Sequence, residues 1–194
     1  MTTATTPSTA AVPSSSSKVS TWELDSAHSV ANFSVKHMMI SKVHGSFHKL
    51  NATLRLDRNS PINSTVEATI DAASIDTHEP KRDEHLRSPD FFDVKTFPSI
   101  TFKSKRFEAA GGDNFRVLGE LTMHGVTREI ALDVESGPTE MKDPWGNTKI
   151  GASGTAKIKR KDFGLNWNAA LETGGILVGE DVSVTLELQF IKKA

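Results

Sequence analysis

The sequence contains no cysteine, which excludes disulfides, thiolate nucleophiles and Cys-ligated zinc or iron–sulfur centres. Packing has to hold the chain together. It also lacks an excess of charge of either sign. Lys and Arg total 23 against 24 Asp and Glu, a formal charge of -1, so there is no broad positive field to hold a nucleic-acid backbone, and nucleic acid is not expected as a partner. Nowhere is there a run of the ~18–20 apolar residues that a membrane-spanning helix needs. The opening residues lack a basic start followed by an apolar stretch of about 7–15 residues: Lys18 is the first basic residue, and Ala10-Ala11-Val12 is the longest apolar run there. As written, the chain is expected to be cytoplasmic, or periplasmic if a natural leader precedes it.

With 194 residues, 37% of them hydrophobic, the chain fits one domain with one core. Residues 1–20 are almost entirely Ser, Thr, Ala and Pro, the composition of a disordered tail, which leaves 21–194 as the folded domain. From Trp22 onward apolar residues recur at every second position, the period of a strand with one buried face. Leu50, Ala52, Leu54 and Leu56 alternate with polar neighbours. So do Val66, Ala68 and Ile70, then Ile100 and Phe102, then Phe115, Val117, Leu121 and Met123. The pattern continues through Val126, Ile130, Leu132 and Val134, through Ile150 to Ile158, and from Val182 to Phe190. Turn residues separate these runs, among them Asp57 to Pro61, Gly111 to Asn114, His124-Gly125, Gly137-Pro138 and Asp143 to Gly146. The pattern predicts an all-β fold of about eight or nine antiparallel strands, with one short helix over Glu79 to Ser88 between Pro80 and Pro89.

Strands that are half polar and half apolar must bury one face, by closing a barrel or by stacking two sheets. Small residues favour a hollow barrel. Ala152, Gly154 and Ala156 share the inward register of one strand and Gly119 that of another, and an eight-stranded barrel is just wide enough either to fill with side chains or to hold one small ligand. The alternative is that Gly154 and Gly119 mark bulges or bends.

Further features resemble the YceI-like family. They include Trp22-Glu23-Leu24-Asp25-Ser26-Ala27-His28-Ser29, Phe33-Ser34-Val35-Lys36-His37 and Gly45-Ser46-Phe47. Others are Arg82-Asp83-Glu84-His85-Leu86-Arg87-Ser88-Pro89-Asp90-Phe91-Phe92-Asp93, Gly119 to Thr127, and Arg160-Lys161-Asp162-Phe163-Gly164-Leu165-Asn166-Trp167. The resemblance implies a lipocalin-like antiparallel barrel with an elongated cavity for an isoprenoid chain, its polar head near one mouth. The expected function is non-catalytic binding, transport or storage of a polyisoprenoid, polyprenyl phosphate or isoprenoid quinone. No other cofactor is expected.

The expected ligand-binding residues are Phe33, His37, Phe47, Arg82, Asp83, Phe91, Phe92, Phe102, Leu121, Ala152, Gly154, Ala156 and Trp167. Arg82 and Asp83 would be polar anchors beside an apolar rim of Phe91 and Phe92, because a buried head group must recover lost hydrogen bonds and Arg pairs bidentately with anions. The alternative pairs Arg82 with Asp83, Glu79 or Asp76 for structure alone. Phe163, Leu165 and Trp167 alternate, and either plug one barrel end or line the pocket. Leu171 to Gly179 combines glycines with Ile176-Leu177-Val178 and reads as a lid over the mouth or a contact in a homodimer.

No metal is expected. On a strand His44 and His48 would stand ~13 Å apart at ~3.3 Å per residue, too far for one zinc. An enzyme would use His28, His37 or His124 beside Asp25, Asp76 or Asp83, with Ser29 or Ser74 as nucleophile, but no serine elbow or phosphate loop accompanies them. A third possibility is a solid-core interaction protein linked to stress.

Overall fold

A computed structural model describes residues 19–136, 140–170 and 175–193. The expected tail therefore lies outside the described residues up to position 18, and the first strand begins at Val19, two residues inside the stretch assigned to the tail. Twelve strands and one α-helix follow: β1 (Val19–Leu24), β2 (Val30–His37), β3 (Ser41–Phe47), β4 (Leu50–Asp57), β5 (Thr65–Asp71), β6 (Ile75–Asp76), α1 (Pro80–Arg87), β7 (Ser99–Gly111), β8 (Asn114–Met123), β9 (Val126–Ser136), β10 (Met141–Lys142), β11 (Thr148–Lys159) and β12 (Val178–Lys192). Eight of them, in the ring order β1, β4, β5, β7, β8, β9, β11, β12, form a closed antiparallel barrel. The expected strand number holds for the barrel itself. The four extra strands are β10, at the start of β11, and β2, β3 and β6, which form a flap extending one end.

That flap exists because three strands break at one level. The first break, between β1 and β2, runs from Asp25 to Ser29, where the Asp25 carboxylate accepts the Ala27 N–H. There Ser29 Oγ accepts the Gln189 N–H and donates to its carbonyl, standing in for the missing ladder partners. The others lie at His48-Lys49 and at Ala72 to Ser74; Lys49 N–H donates to Ser74 Oγ across them. Beyond this level β2 pairs with β3, and β3 with β6.

Local chemistry also sets the helix. Glu79 caps it by accepting from the N–H groups of Lys81 and Arg82, and Pro80 takes the first helical position, where no N–H is needed. Between β8 and β9 the chain reverses through His124 and Gly125, both at positive φ, as a two-residue hairpin requires. The main buried cluster joins Phe47, Ile75, Phe91, Ile100, Met123, Phe163 and Leu165, with Phe33, Leu86, Phe92 and Trp167 packed on it. It closes the barrel at the helix end.

Candidate functional site

The barrel encloses a cavity of about 690 Å³, within the usual ~300–1,000 Å³ of ligand sites. It runs from Phe33 and Phe47, beside the buried cluster, to Arg58, Ser64, Asp113 and Ser136 at the other end. Its wall consists of the alternating residues read from the sequence: Leu50 to Leu56 on β4, Val66 to Ile70 on β5, Ile130 to Val134 on β9, Ile150 to Ile158 on β11 and Val184 to Phe190 on β12. Period two is what puts them all on one side.

Of the expected ligand-binding residues, Phe33, Phe47, Phe102, Leu121, Ala152, Gly154 and Ala156 line this cavity. Ala152, Gly154 and Ala156 sit opposite Leu188, Leu186 and Val184 on β12. At Gly154 an added Cβ would come no closer than 3.5 Å, to Leu186, an ordinary contact that leaves the wall open there. Gly119 behaves differently. An added Cβ would lie 2.5 Å from the Phe102 ring and 2.6 Å from the Lys103 carbonyl, so the ring fills the space expected to be empty. The register of β7 against β8 shifts between Ser104 and Arg106, opposite this glycine, so here the bulge alternative was the right one.

His37, Arg82, Asp83, Phe91, Phe92 and Trp167 do not line the cavity. Arg82 donates from Nε to Thr77 Oγ1 at 2.7 Å and from its guanidinium to the Thr77 carbonyl at 2.9 Å. Asp83, buried, accepts from the same residue's Oγ1 at 2.6 Å and N–H at 2.9 Å. The pair thus ties the helix to the strand before it, through Thr77 rather than through the carboxylates considered as partners for Arg82. Phe91 and Trp167 pack with ring centroids 5.2 Å apart, His85 stands edge-on to Trp167 at 4.7 Å, and Phe92 edge-on to Phe47 at 5.8 Å. These aromatic contacts make a plug. His37 ends β2 opposite Ser41.

The open end is the opposite one, and its polar groups were not anticipated as a head-group site. Arg58 donates to Glu140 at 2.7 Å, and Lys192 reaches the same oxygen at 3.1 Å. The Lys192 hydrogen bond, aided by Arg58, holds the Glu140 carboxyl below the usual carboxylate range. On the outer wall nearby, Lys149 bridges Asp25 at 2.8 Å and Asp143 at 3.5 Å. Its hydrogen bond is the main cause of the lowered Asp25 pKa, and Asp25 in turn raises that of Lys149.

The lid reading also moves. Leu171 to Gly174, like Gly137-Pro138, lie outside the described residues, but Leu177 accepts the Met38 N–H and donates to the Ala169 carbonyl, which puts 175–178 at the plugged end. Anchoring that region is Arg160, a residue with no role assigned from the sequence. Only 3% exposed, it donates to the carbonyls of Leu165, Trp167, Val178 and Gly179 at 2.5–3.2 Å. Burial pushes its pKa down.

The catalytic candidates are not assembled around a nucleophile. His28 contacts Asp25 at 2.9 Å, but Ser29 Oγ is committed to Gln189. Ser74 Oγ donates to the Asp71 carbonyl, and His124 Nδ1 lies 3.3 Å from the carbonyl of Phe163. His48 pairs with Asp76 at 3.0 Å, and among the described residues no three His, Asp or Glu gather as metal ligands. No described helix is long and apolar enough to cross a membrane.

Residues 22–190 match the model of the YceI-like domain. A UPF0312 protein of Staphylococcus aureus is 38% identical over 166 residues, covering 86% of this chain and 94% of its own. Among solved structures, the YCEI protein of Campylobacter jejuni is 34% identical with a TM-score of 0.69, over 82% of this chain and 90% of that one. BcnA of Burkholderia cenocepacia is 26% identical with a TM-score of 0.75, over 86% and 98%. The fold is shared with a polyisoprenoid binding domain of Saccharophagus degradans, 18% identical with a TM-score of 0.63, over 89% and 98%.

Proposed function

Because the chain belongs to the YceI-like family, we propose that its barrel is a non-catalytic holder of a long, slender apolar lipid of the isoprenoid type. The observation that carries this reading is the cavity wall, mostly aliphatic with six phenylalanines among its lining residues, and plugged by the buried cluster at one end. β11 has twelve residues, which at ~3.3 Å per residue and a tilt of ~35–45° give a bore of roughly 30 Å, enough for several extended isoprene units. Burial stabilises such a chain by about 25 cal/mol per Å² without any specific contact. The plugged end leaves one way in, so the tail enters first and the polar head stays beside Arg58, Asp113 and Ser136. The fold shared with a polyisoprenoid binding domain sets the ligand class to test first.

Native mass spectrometry of freshly purified protein, followed by identification of the extracted lipid, tests this directly. An isoprenoid alcohol, phosphate or quinone at one molecule per chain is the expected result. Protein that carries no lipid and takes none up from an isoprenoid mixture would overturn it, and turnover of the bound lipid would favour the enzyme alternative.

A further inference from the structure

The large apolar side chains that stand exposed among the described residues are Val19, Met38, Met39, Ile40, Ile62, Met141 and Trp145. Three of them are consecutive. Met38, Met39 and Ile40 form the turn between β2 and β3, and their exposures of 39%, 55% and 83% rise toward the strand that follows.

This turn runs against local preference in two ways. Met38 and Met39 both have positive φ, at 51° and 61°, where Asn and Gly are favoured and a side chain with a Cβ is not. The turn closes through the Ile40 N–H on the His37 carbonyl, so nothing in the backbone demands apolar residues there. Just below it, Lys36 lies directly opposite Lys42, a like-charged cross-strand pair that destabilises a hairpin. Conflicts of this kind concentrate where a sequence serves something other than its own fold.

The charge on the hairpin itself has one sign. No acidic residue occurs between Asp25 and Asp57, a stretch that holds Lys36, Lys42, Lys49, Arg55 and four histidines. His44, opposite Ser34, continues the basic face of the hairpin. From neighbouring elements the acidic groups facing this region are Glu180 and Asp181 in the β12 segment beside Lys36 and His37, already paired with Lys161 and with Lys157 at 2.9 Å, while Asp76 on β6 is held by His48.

We propose that the β2–β3 turn is a docking tip for an anionic lipid bilayer, with Met38, Met39 and Ile40 entering the interface and Lys36 and Lys42 contacting the head groups. A finger of three side chains offers a few hundred Å² at most, well short of the ~800 Å² per partner of a stable protein interface. A bilayer needs no matching surface, only apolar groups that dip ~5–10 Å into the head-group boundary with basic residues beside them. Docked in this way, the barrel turns its Asp113 mouth away from the membrane. Docking is therefore separate from cavity binding and does not depend on what the cavity holds.

Sedimentation of the full chain with vesicles of phosphatidylcholine plus phosphatidylglycerol, against phosphatidylcholine alone, tests the proposal. Binding should be about tenfold tighter to the anionic vesicles and weaken with salt. Lys36→Gln with Lys42→Gln should erase that preference. Met38→Asn with Met39→Gly and Ile40→Ser should abolish binding to both kinds of vesicle while leaving Tm unchanged or raised, since Asn-Gly suits the turn better. Such opposite movement separates docking from folding. Absence of vesicle binding by the native chain, or full binding by the triple variant, would overturn the proposal. So would a concentration-dependent dimer, abolished in the triple variant and formed by a native chain that ignores vesicles; the occupant would then be a second copy.

Discussion

The two ends of this barrel are built from the same strands with the same alternation, yet one is solid and the other hollow. At the helix end Phe47, Phe91, Phe163 and Leu165 meet with Trp167 and Phe92 over them; beyond them the wall offers Ala52, Ala68, Ala152, Gly154 and Ala156 before the larger Phe107, Phe115 and Phe190 nearer the other end. Period two decides which side chains point inward, but the volume of those side chains decides whether they touch across the barrel. Connections add to the difference. The helix end receives the 77–98 and 160–170 segments, which lay aromatic rings over the opening. At the open end the Gly112-Asp113 turn carries nothing large enough to cover the mouth, and the large side chains of the longer connections there, Ile62, Met141 and Trp145, stand exposed.

That contrast can be broken by substitution, most severely at the plug. Phe163→Ala should cost about 3–5 kcal/mol in guanidinium unfolding, because the ring is fully buried and its neighbours cannot close the gap. Arg160→Met should cost about 3 kcal/mol, since each buried carbonyl left without its donor costs ~1–3 kcal/mol, and Arg160→Lys should fail to rescue it because an ammonium cannot reach four carbonyls in a fork. Two glycines sharpen the comparison further. Gly119→Ala should lose about 1–3 kcal/mol against the Phe102 ring and the Lys103 carbonyl, whereas Gly154→Ala should stay within about 0.5 kcal/mol of the parent or gain slightly.

In the hollow part, Ala152→Trp or Ala156→Trp should change stability by less than about 1 kcal/mol while abolishing lipid uptake, because the ring enters empty space rather than overpacking a core. Thr155→Trp, on the outer face of β11, is the matched control and should leave uptake intact. A loss of several kcal/mol at Ala152 would mean that the barrel is packed throughout.

The smallest effect concerns pH at the open end. The Lys149 hydrogen bond lowers the Asp25 pKa, so the unfolded chain binds that proton more tightly. The associated stability is present above the ordinary Asp value and is lost as pH falls through the depressed one. Lys149, with its pKa raised, contributes below the ordinary Lys value and loses that contribution as pH rises through the raised one. Tm should therefore be level across neutral pH. Lys149→Gln should lower it slightly there and flatten its acid limb; an unchanged acid limb in differential scanning calorimetry would show that the bridge contributes nothing.

The barrel was legible because alternation is a local property: each run from Leu50 to Phe190 reports its own buried face. The helix was legible from Glu79, Pro80 and Pro89 for the same reason. What was not legible depends on meetings between distant segments. Arg82 beside Phe91 and Phe92 looked like an anchor at a rim, but which end those rings would plug depended on Trp167, Phe163 and Phe47 arriving from elsewhere. Arg160 stood in a stretch that resembles the family but gave no sign of its role, since its partners are the backbone carbonyls of Leu165, Trp167, Val178 and Gly179, which any sequence could supply. Gly119 and Gly154 look alike in one dimension, and only the Phe102 ring distinguishes them.

β12 pairs with β11 along one edge and with both β1 and β2 along the other. Ribosomal synthesis makes it after every other strand of the barrel. Until Val178–Lys192 has emerged, the nascent chain can form at best an open curled sheet with unpaired edges at β1 and β11, both able to recruit strands from neighbouring chains. The pairing that ends this exposure joins residues more than 150 positions apart, such as Trp22 with Lys192, and contacts of such long range form slowly. Aggregation during synthesis should therefore depend far more on how fast the β12 region is made and released than on the final stability of the barrel.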